Sequence, residues 1–413
     1  LDHSLSQSLK RHHNADVPIG IVLSGGVDSS LLACKSSEVA PTPFPCFTMD
    51  FKQTEFSEAH EAARLANLIG TEHTVFNLHE ESFFAQWKAL AWQTDAPIFD
   101  NSFPATSELY RQVRKHVKVA LSGDAGDELF LGYETYRADQ LASVLRQGGE
   151  LSAALLRFAS RAVPVQFGKV TPSYKLRAFA RAFARSAPRA HGGWRELAGH
   201  NSLIRMVHPE KRAPLSEFDP AVRYESIFQR VKEADFLTAM SFLDLETWLP
   251  NNILVKADRA SMAHGLEVRV PFLDKEVVQL ALSLSDKQKY SFFQPKKILK
   301  ELLYQKIPSY PRNLPKRGFG TPMSEWLKGP LMSSLHSTTK TPSPLWDWIN
   351  PTELTRLGEE HAAQKADHGF LVWALLALVG WLEQLGEERA RARIPNARIH
   401  IENPKEELCP SPA

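Results

Sequence analysis

Cysteine is scarce in this 413-residue chain: Cys34, Cys46 and Cys409 are the three present, an odd number with no metal-like spacing. A disulfide framework is excluded, and the three read as packing residues in a reducing, cytoplasmic setting. Long apolar runs are lacking too. The longest, Phe370 to Leu382, falls short of the ~20 residues that cross a bilayer and reads as a buried helix. The opening residues, LDHSLSQSLKRHH, are polar and offer no secretory signal. No sign of charge dominates, and a net charge of +2 singles out neither nucleic acid nor a membrane as a partner. Methionine is missing from position 1, and Leu1 suggests a piece of something longer. What remains is ordinary globular composition, 43% hydrophobic and 23% charged. The chain is long enough for two lobes.

The stretch that organises the chain is Ile19 to Leu32, IGIVLSGGVDSSLL. Ile19, Ile21, Val22 and Leu23 read as a buried strand, after which Gly25 and Gly26 let the backbone turn closely. Ser24, Ser29 and Ser30 add hydroxyl donors, and a helix from about Ser29 presents free N–H groups and a positive dipole end. Together these suit a phosphate or pyrophosphate. Asp28 would repel such an anion unless a cation sat between them, which implies Mg²⁺ bridging protein and nucleotide. No Gly-Lys-Ser/Thr follows the glycines, so this is not a Walker loop.

Residues 1 to 18 read as an amphipathic helix with Leu5 and Leu9 on one face. Phe44 to Phe51, His73 to Leu78 and Val117 to Leu121 are further strands, and Ser57 is expected to cap a helix that stops at Gly70. Strands alternating with helices predict an α/β fold with a doubly wound parallel sheet, whose ligands bind at the carboxyl ends of the strands. Ser122-Gly123-Asp124-Ala125-Gly126-Asp127-Glu128 follows the fourth strand and would share that edge, so Asp28 and Asp127 are expected to share Mg²⁺. From Leu141 to Arg212, 13 Lys or Arg against three Glu leave a local balance of +10, with Arg177, Arg181 and Arg185 along one helical face. A nucleic-acid surface is one reading and a solvated face on a helical insertion the favoured one. The segment from Phe236 reads as helical and packs Lys256, Asp258, Arg259, Glu267, Arg269 and Asp274 among apolar residues. Arg269 and Asp274 are expected in structural ion pairs. Lys296, Lys297 and Lys316 offer cations to a reaction that develops negative charge.

The loop LSGGVDSS resembles the SGGxDS loop of the ATP pyrophosphatase, or PP-loop, superfamily. Together with LSGDAGDELFLGY, WLPNNILVKADRASMAHGLEVRVPFLD and LPKRGFGTPMSEW, in that order, it resembles the synthetase domain of glutamine-dependent asparagine synthetase. The resemblance implies a PP-loop type α/β sheet with a large helical C-terminal portion. One domain would cover 1–385: a nucleotide-binding core over 1–140, a basic helical insertion over 141–235 and a helical portion completing the active site over 236–385. A tail would follow over 386–413. It implies ATP binding by Leu23, Ser24, Gly25, Gly26, Asp28, Ser29, Ser30, Met49, Ser122 and Gly123, Mg²⁺ on Asp28 and Asp127, and catalytic roles for Asp124, Lys296 and Lys316. Arg259 and Glu267 would help shape the substrate pocket.

The implied chemistry is ATP-dependent amide synthesis: a carboxylate, aspartate in asparagine synthetase, attacks the α-phosphate to give an acyl-adenylate and pyrophosphate. Ammonia then releases AMP. Asp124 stands where asparagine synthetases carry Glu, which leaves open a related adenylating amide or lactam synthetase acting on a sugar, peptide or small acid. Ala125 replaces the usual Gly, at a cost if the position needs positive φ. No N-terminal nucleophilic Cys is present, so a glutaminase domain is expected elsewhere, in cis or in trans. A non-catalytic module and a nucleic-acid-directed PP-loop enzyme are the competing readings, and a homodimer is compatible with the family.

Overall fold

The computed structural model describes residues 1–392 other than 54, 79, 92, 169–170 and 312–319. Five parallel strands form one sheet in the order β3-β2-β1-β4-β5, with β1 at Ile19–Val22, β2 at Cys46–Phe51, β3 at His73–Leu78, β4 at Val119–Leu121 and β5 at Glu267–Arg269. Ile21 lies opposite both Cys46 of β2 and Leu121 of β4, which makes β1 the central strand.

Parallel neighbours require crossovers, and the intervening helices cover both faces. α1 (Asp2–His12) and α2 (Val27–Val39) lie with Ile19, Ile21, Cys46 and Val119 around one core, to which Leu5, Leu9, Leu31 and Leu32 contribute fully buried side chains. The alternate strand residues Phe47, Met49, Phe51 and Ala120 face a second core. Around the sheet and these cores lie α3 (Ala59–Ile69), α4 (Glu80–Ala91), α5 (Phe103–Val113) and the helix Gly369–Ala392. The expected doubly wound sheet is therefore present.

Several boundaries differ from the sequence reading. α1 ends at His12 rather than near Pro18, and α2 begins at Val27, two residues before Ser29. α3 is preceded at its cap by Glu58 rather than Ser57, while Gly70 ends it in the left-handed conformation, φ 69°, as its position after the last apolar residue suggested. The segment after Phe236 is not continuously helical. The helix Phe236–Glu246 passes through a π-helical turn, Leu249–Leu254, into the helix Val255–Met262, and then yields β5. The apolar run near the end extends into the 24-residue helix Gly369–Ala392. Its first 18 residues are long and apolar enough to cross a membrane by length and composition, yet Val372, Trp373, Leu376 and Val379 pack in the second core.

After the fourth strand come α6 (Gly126–Leu129), α7 (Glu134–Leu145), α8 (Gly149–Ala162), α9 (Pro172–Ala182) and α10 (Ala187–Gly193). The last four build a small core of their own from Ala142, Phe179, Phe183, Ala190 and Trp194, with the Phe179 and Trp194 rings stacked at 5.1 Å. Several basic residues of this region are half-buried and make internal contacts, while Arg157, Arg161, Lys175, Arg205 and Lys211 are exposed. Arg177 donates to the Val163 carbonyl at 3.0 Å, Arg181 to the Glu196 carbonyl at 3.0 Å, and Arg185 pairs with the Glu196 carboxylate. The Arg177, Arg181 and Arg185 row is part-exposed and serves also as a set of clamps. The Arg177 and Arg181 guanidiniums satisfy carbonyls left over beyond the ends of short helices.

Candidate active site

β1 lies between β2 and β4, and the chain leaves it in one direction for β2 and later returns to β4 on its other side. The crevice at the carboxyl ends of β1 and β4 is thus the switch point of the sheet, where open α/β sheets admit ligands.

The loop after β1 holds itself in shape. Gly25 has φ 73°, and a β-carbon there would lie 2.7 Å from the Ala62 nitrogen of α3. The Ser24 and Ser29 hydroxyls lie 2.9 Å apart, Ser24 N–H donates to Ser29 Oγ at 3.1 Å, and Gly26 N–H donates to Ser24 Oγ at 3.3 Å. Ser30 is fully buried, its Oγ 3.4 Å from the hydroxyl of Tyr310, which donates to the Gly25 carbonyl at 2.5 Å. Leu23 is buried just past β1 and Met49 within β2, opposite Phe76.

The loop after β4 meets the first one directly. A β-carbon on Gly123 would lie 3.0 Å from the Ser29 nitrogen, and one on Gly126 only 2.6 Å from Asp28 Cγ. Asp28 and Asp127 converge on one cation, the Lys296 ammonium, which lies 2.7 Å from Asp127 Oδ1 and pairs with Asp28 Oδ2. Lys296 sits just before the helix Lys297–Lys306 with φ 55° and is 6% exposed. Burial lowers the proton affinity of its ammonium, but Asp127 and Asp28 outweigh that and hold it above lysine's ordinary value. Gly132 backs the pair so closely that an added β-carbon would overlap Lys296 Cε and Asp127 Oδ1. Ala125 has φ 68°, so the position does need the left-handed conformation.

Asp124 belongs to the same loop as Asp127. Ser122 Oγ donates to its Oδ2 at 2.8 Å, and burial raises its pKa, with Ser122 and Lys256 opposing and Asp127 reinforcing. Burial, then the charge of Asp124, also raises the pKa of Tyr110, which hydrogen-bonds Ser122. Beyond it lies a cluster that sequence reasoning noted only in part. Lys256 Nζ donates to Asp100 Oδ2 at 2.9 Å and to Ser102 Oγ at 2.8 Å, and Asn252 donates to Asp100 Oδ2 at 3.1 Å. Although burial raises the Asp100 pKa, Lys256 and Ser102 bring it down to about 2. Lys256 stood out in the sequence as a charge in an apolar setting, but nothing there indicated Asp100, 156 residues away.

The remaining expected residues separate. Arg259 pairs with Asp95 and is part-exposed. Glu267 is exposed at the amino end of β5, opposite Val119, and pairs with Arg269 at 2.6 Å. That is the edge of the sheet away from the two loops. Asp274 pairs with Arg11 at 2.8 Å, a structural role. Lys297 lies 4.0 Å from Glu301 on the surface, and Lys316 is outside the described residues.

The sequence profile of asparagine synthase matches residues 1–383. The chain belongs to the asparagine synthase family. Among its relatives, a putative asparagine synthetase [glutamine-hydrolyzing] of Mycobacterium tuberculosis is 31% identical over 387 residues, covering 91% of this chain and 56% of the relative. Asparagine synthetase [glutamine-hydrolyzing] 1 of Bacillus subtilis is 30% identical, covering 92% and 58%. A more distant relative, amidase chry2 of Gibberella zeae, is 25% identical over 79% of this chain. This asparagine synthase family member therefore spans little more than half the length of these curated relatives.

Proposed function

We propose that this chain is the ATP-dependent synthetase portion of an amide-forming ligase, with aspartate as the acceptor and ammonia as the nucleophile. The observation that carries the reading is the meeting of Asp28 and Asp127 on Lys296 at the switch point of the sheet. Two carboxylates gathered on one cation are a donor set that fits Mg²⁺, which binds through one or two carboxylates together with phosphate and water. Bound there, Mg²⁺ would supply charge neutralisation to the triphosphate.

The chain's own groups account for the rest. The amides of residues 24–29 and the start of α2 receive phosphate oxygens, with Ser24 and Ser29 holding the loop's shape and Leu23 and Met49 walling the base. Ser122 and Gly123 approach the nucleotide from the second loop. Lys296 holds a fixed positive charge where charge develops as pyrophosphate departs, and Lys316 is assigned the same duty. Asp124, its proton affinity raised by burial, faces the acceptor and the incoming amine, where it takes a proton as the amide forms. Nitrogen would come from a glutaminase domain in cis or in trans. The set-back Asp124, tied to Ser122, favours one alternative: a related adenylating synthetase acting on another carboxylate.

Pyrophosphate release from ATP and Mg²⁺ tests the proposal, with aspartate and a panel of other carboxylates, each with ammonium or glutamine. Turnover with aspartate and ammonium supports the first reading. Release with another carboxylate alone moves the assignment to the second, and release with none removes both. Asp28→Asn and Asp127→Asn should each lower turnover at least ~100-fold while circular dichroism remains unchanged. An active Asp127→Asn protein would remove the shared-cation argument.

A further inference from the structure

The helical insertion carries a buried ionic cluster with no part in the chemistry above. His191 of α10 is fully buried between two carboxylates, its Nδ1 2.6 Å from Asp139 of α7 and its Nε2 2.9 Å from Asp244 of the helix Phe236–Glu246. Arg195, just beyond α10, donates to both oxygens of Asp244 at 2.8 Å each. Tyr136 donates to Asp244 at 2.7 Å and Trp194 Nε1 to Asp139 at 2.6 Å. Two anions and two cations thus close on themselves, and such a satisfied network fixes geometry more than it adds stability.

One end of this cluster leads to the second acidic loop. The Arg195 guanidinium lies 5.2 Å from the Tyr133 ring centroid, and Tyr133 donates its hydroxyl to Glu128 Oε1 at 2.7 Å. Ser241, on the same helix as Asp244, donates to the Glu128 carbonyl at 2.7 Å. Glu128 is 1% exposed and is the immediate neighbour of Asp127 on α6. A four-residue helix has little internal hydrogen bonding to fix its orientation, so external contacts must do so.

We propose that the insertion is a positioning device for the second acidic loop: His191, Asp244, Arg195 and Tyr133 hold Glu128, and through it Asp127, in register with Asp28. The proposal rests on the assignment of Asp127 to the nucleotide site, and its residues are positioning residues that touch no substrate. It gives the basic insertion an architectural task rather than a nucleic-acid one.

Tyr133→Phe removes the hydroxyl at the junction and keeps the ring under Arg195. His191→Gln breaks the bridge between Asp139 and Asp244 at the far end. Hydrogen–deuterium exchange of the ligand-free protein should show amides of residues 126–132 exchanging at least ~10-fold faster in both variants, with β1 and β2 unchanged. Calorimetric titration with ATP in excess Mg²⁺ should show a dissociation constant raised ~5-fold or more, while the KM for the acceptor carboxylate stays constant. Unchanged exchange in residues 126–132 together with unchanged nucleotide affinity overturns the proposal, whatever happens to the melting temperature. Faster loop exchange in a protein whose wild type binds no ATP upholds the positioning and sinks the reading of the site instead.

Discussion

Ala125 is held at φ 68°, where its β-carbon is crowded by the following peptide. The residue is 1% exposed in a loop shaped around Asp124 and Asp127, and local strain is retained where the surroundings over-determine the backbone. Ala125→Gly should relieve ~1 kcal/mol of this, offset in part by the greater freedom of Gly in the unfolded chain, for a net gain of about 0.5 kcal/mol. Urea denaturation checks it, and a loss of stability would mean that the methyl group's packing outweighs the backbone term. At this scale the charged candidates were legible in the sequence. Asp28, Asp124 and Asp127 stand in small-residue loops, and Lys296, far off in sequence, pairs with Asp28 and Asp127. Glu267 misled because its neighbours in sequence, Val268 and Arg269, carry it into a strand whose amino end faces away from the loops.

The loop after β1 is pinned by Tyr310, whose hydroxyl meets the Gly25 carbonyl and neighbours Ser30. Removing that hydroxyl in Tyr310→Phe deletes a hydrogen bond worth ~1 kcal/mol and should weaken ATP binding about fivefold, with little change in the acceptor's KM. Equilibrium binding of ATP measures this, and affinity equal to wild type would show that the serine contacts alone set the loop. Nothing in the sequence marks Tyr310 for this task, since 285 residues separate it from Gly25. The strands were easier. β1 is an apolar run and β2 and β3 are six-residue stretches rich in β-branched and aromatic residues, whereas β5 has three residues, two of them charged, and lies between helical segments. Its pairing to β4 comes from tertiary contact rather than from local pattern.

Across the whole molecule, stability should depend on pH through His191. Burial alone would lower its pKa, but Asp244 and Asp139 raise it to about 9, while Arg195, Tyr136 and Trp194 complete the groups that face the cluster. A histidine whose folded value exceeds its free value of 6.5 gives its full stabilisation below about pH 6.5 and loses it as pH rises through about 9. Glu128, raised to about 8 by burial and then by Asp127, works in the same direction. Denaturation midpoints should therefore fall between pH 6.5 and 9, and His191→Gln should flatten the slope. An equally steep slope in the variant would remove His191 as its source. The parallel sheet was legible at this scale from the alternation of strands and helices. The insertion's inward clamps were not, because charge counts do not reveal which carbonyls a guanidinium will find.

Gly132 lies where its backbone touches both partners of the central ion pair. In a saturation library selected for function, that codon should come back almost unmutated, Ala included, although the residue carries no functional group. A blank column there would trace the outline of the Lys296–Asp127 pair from the genetics alone.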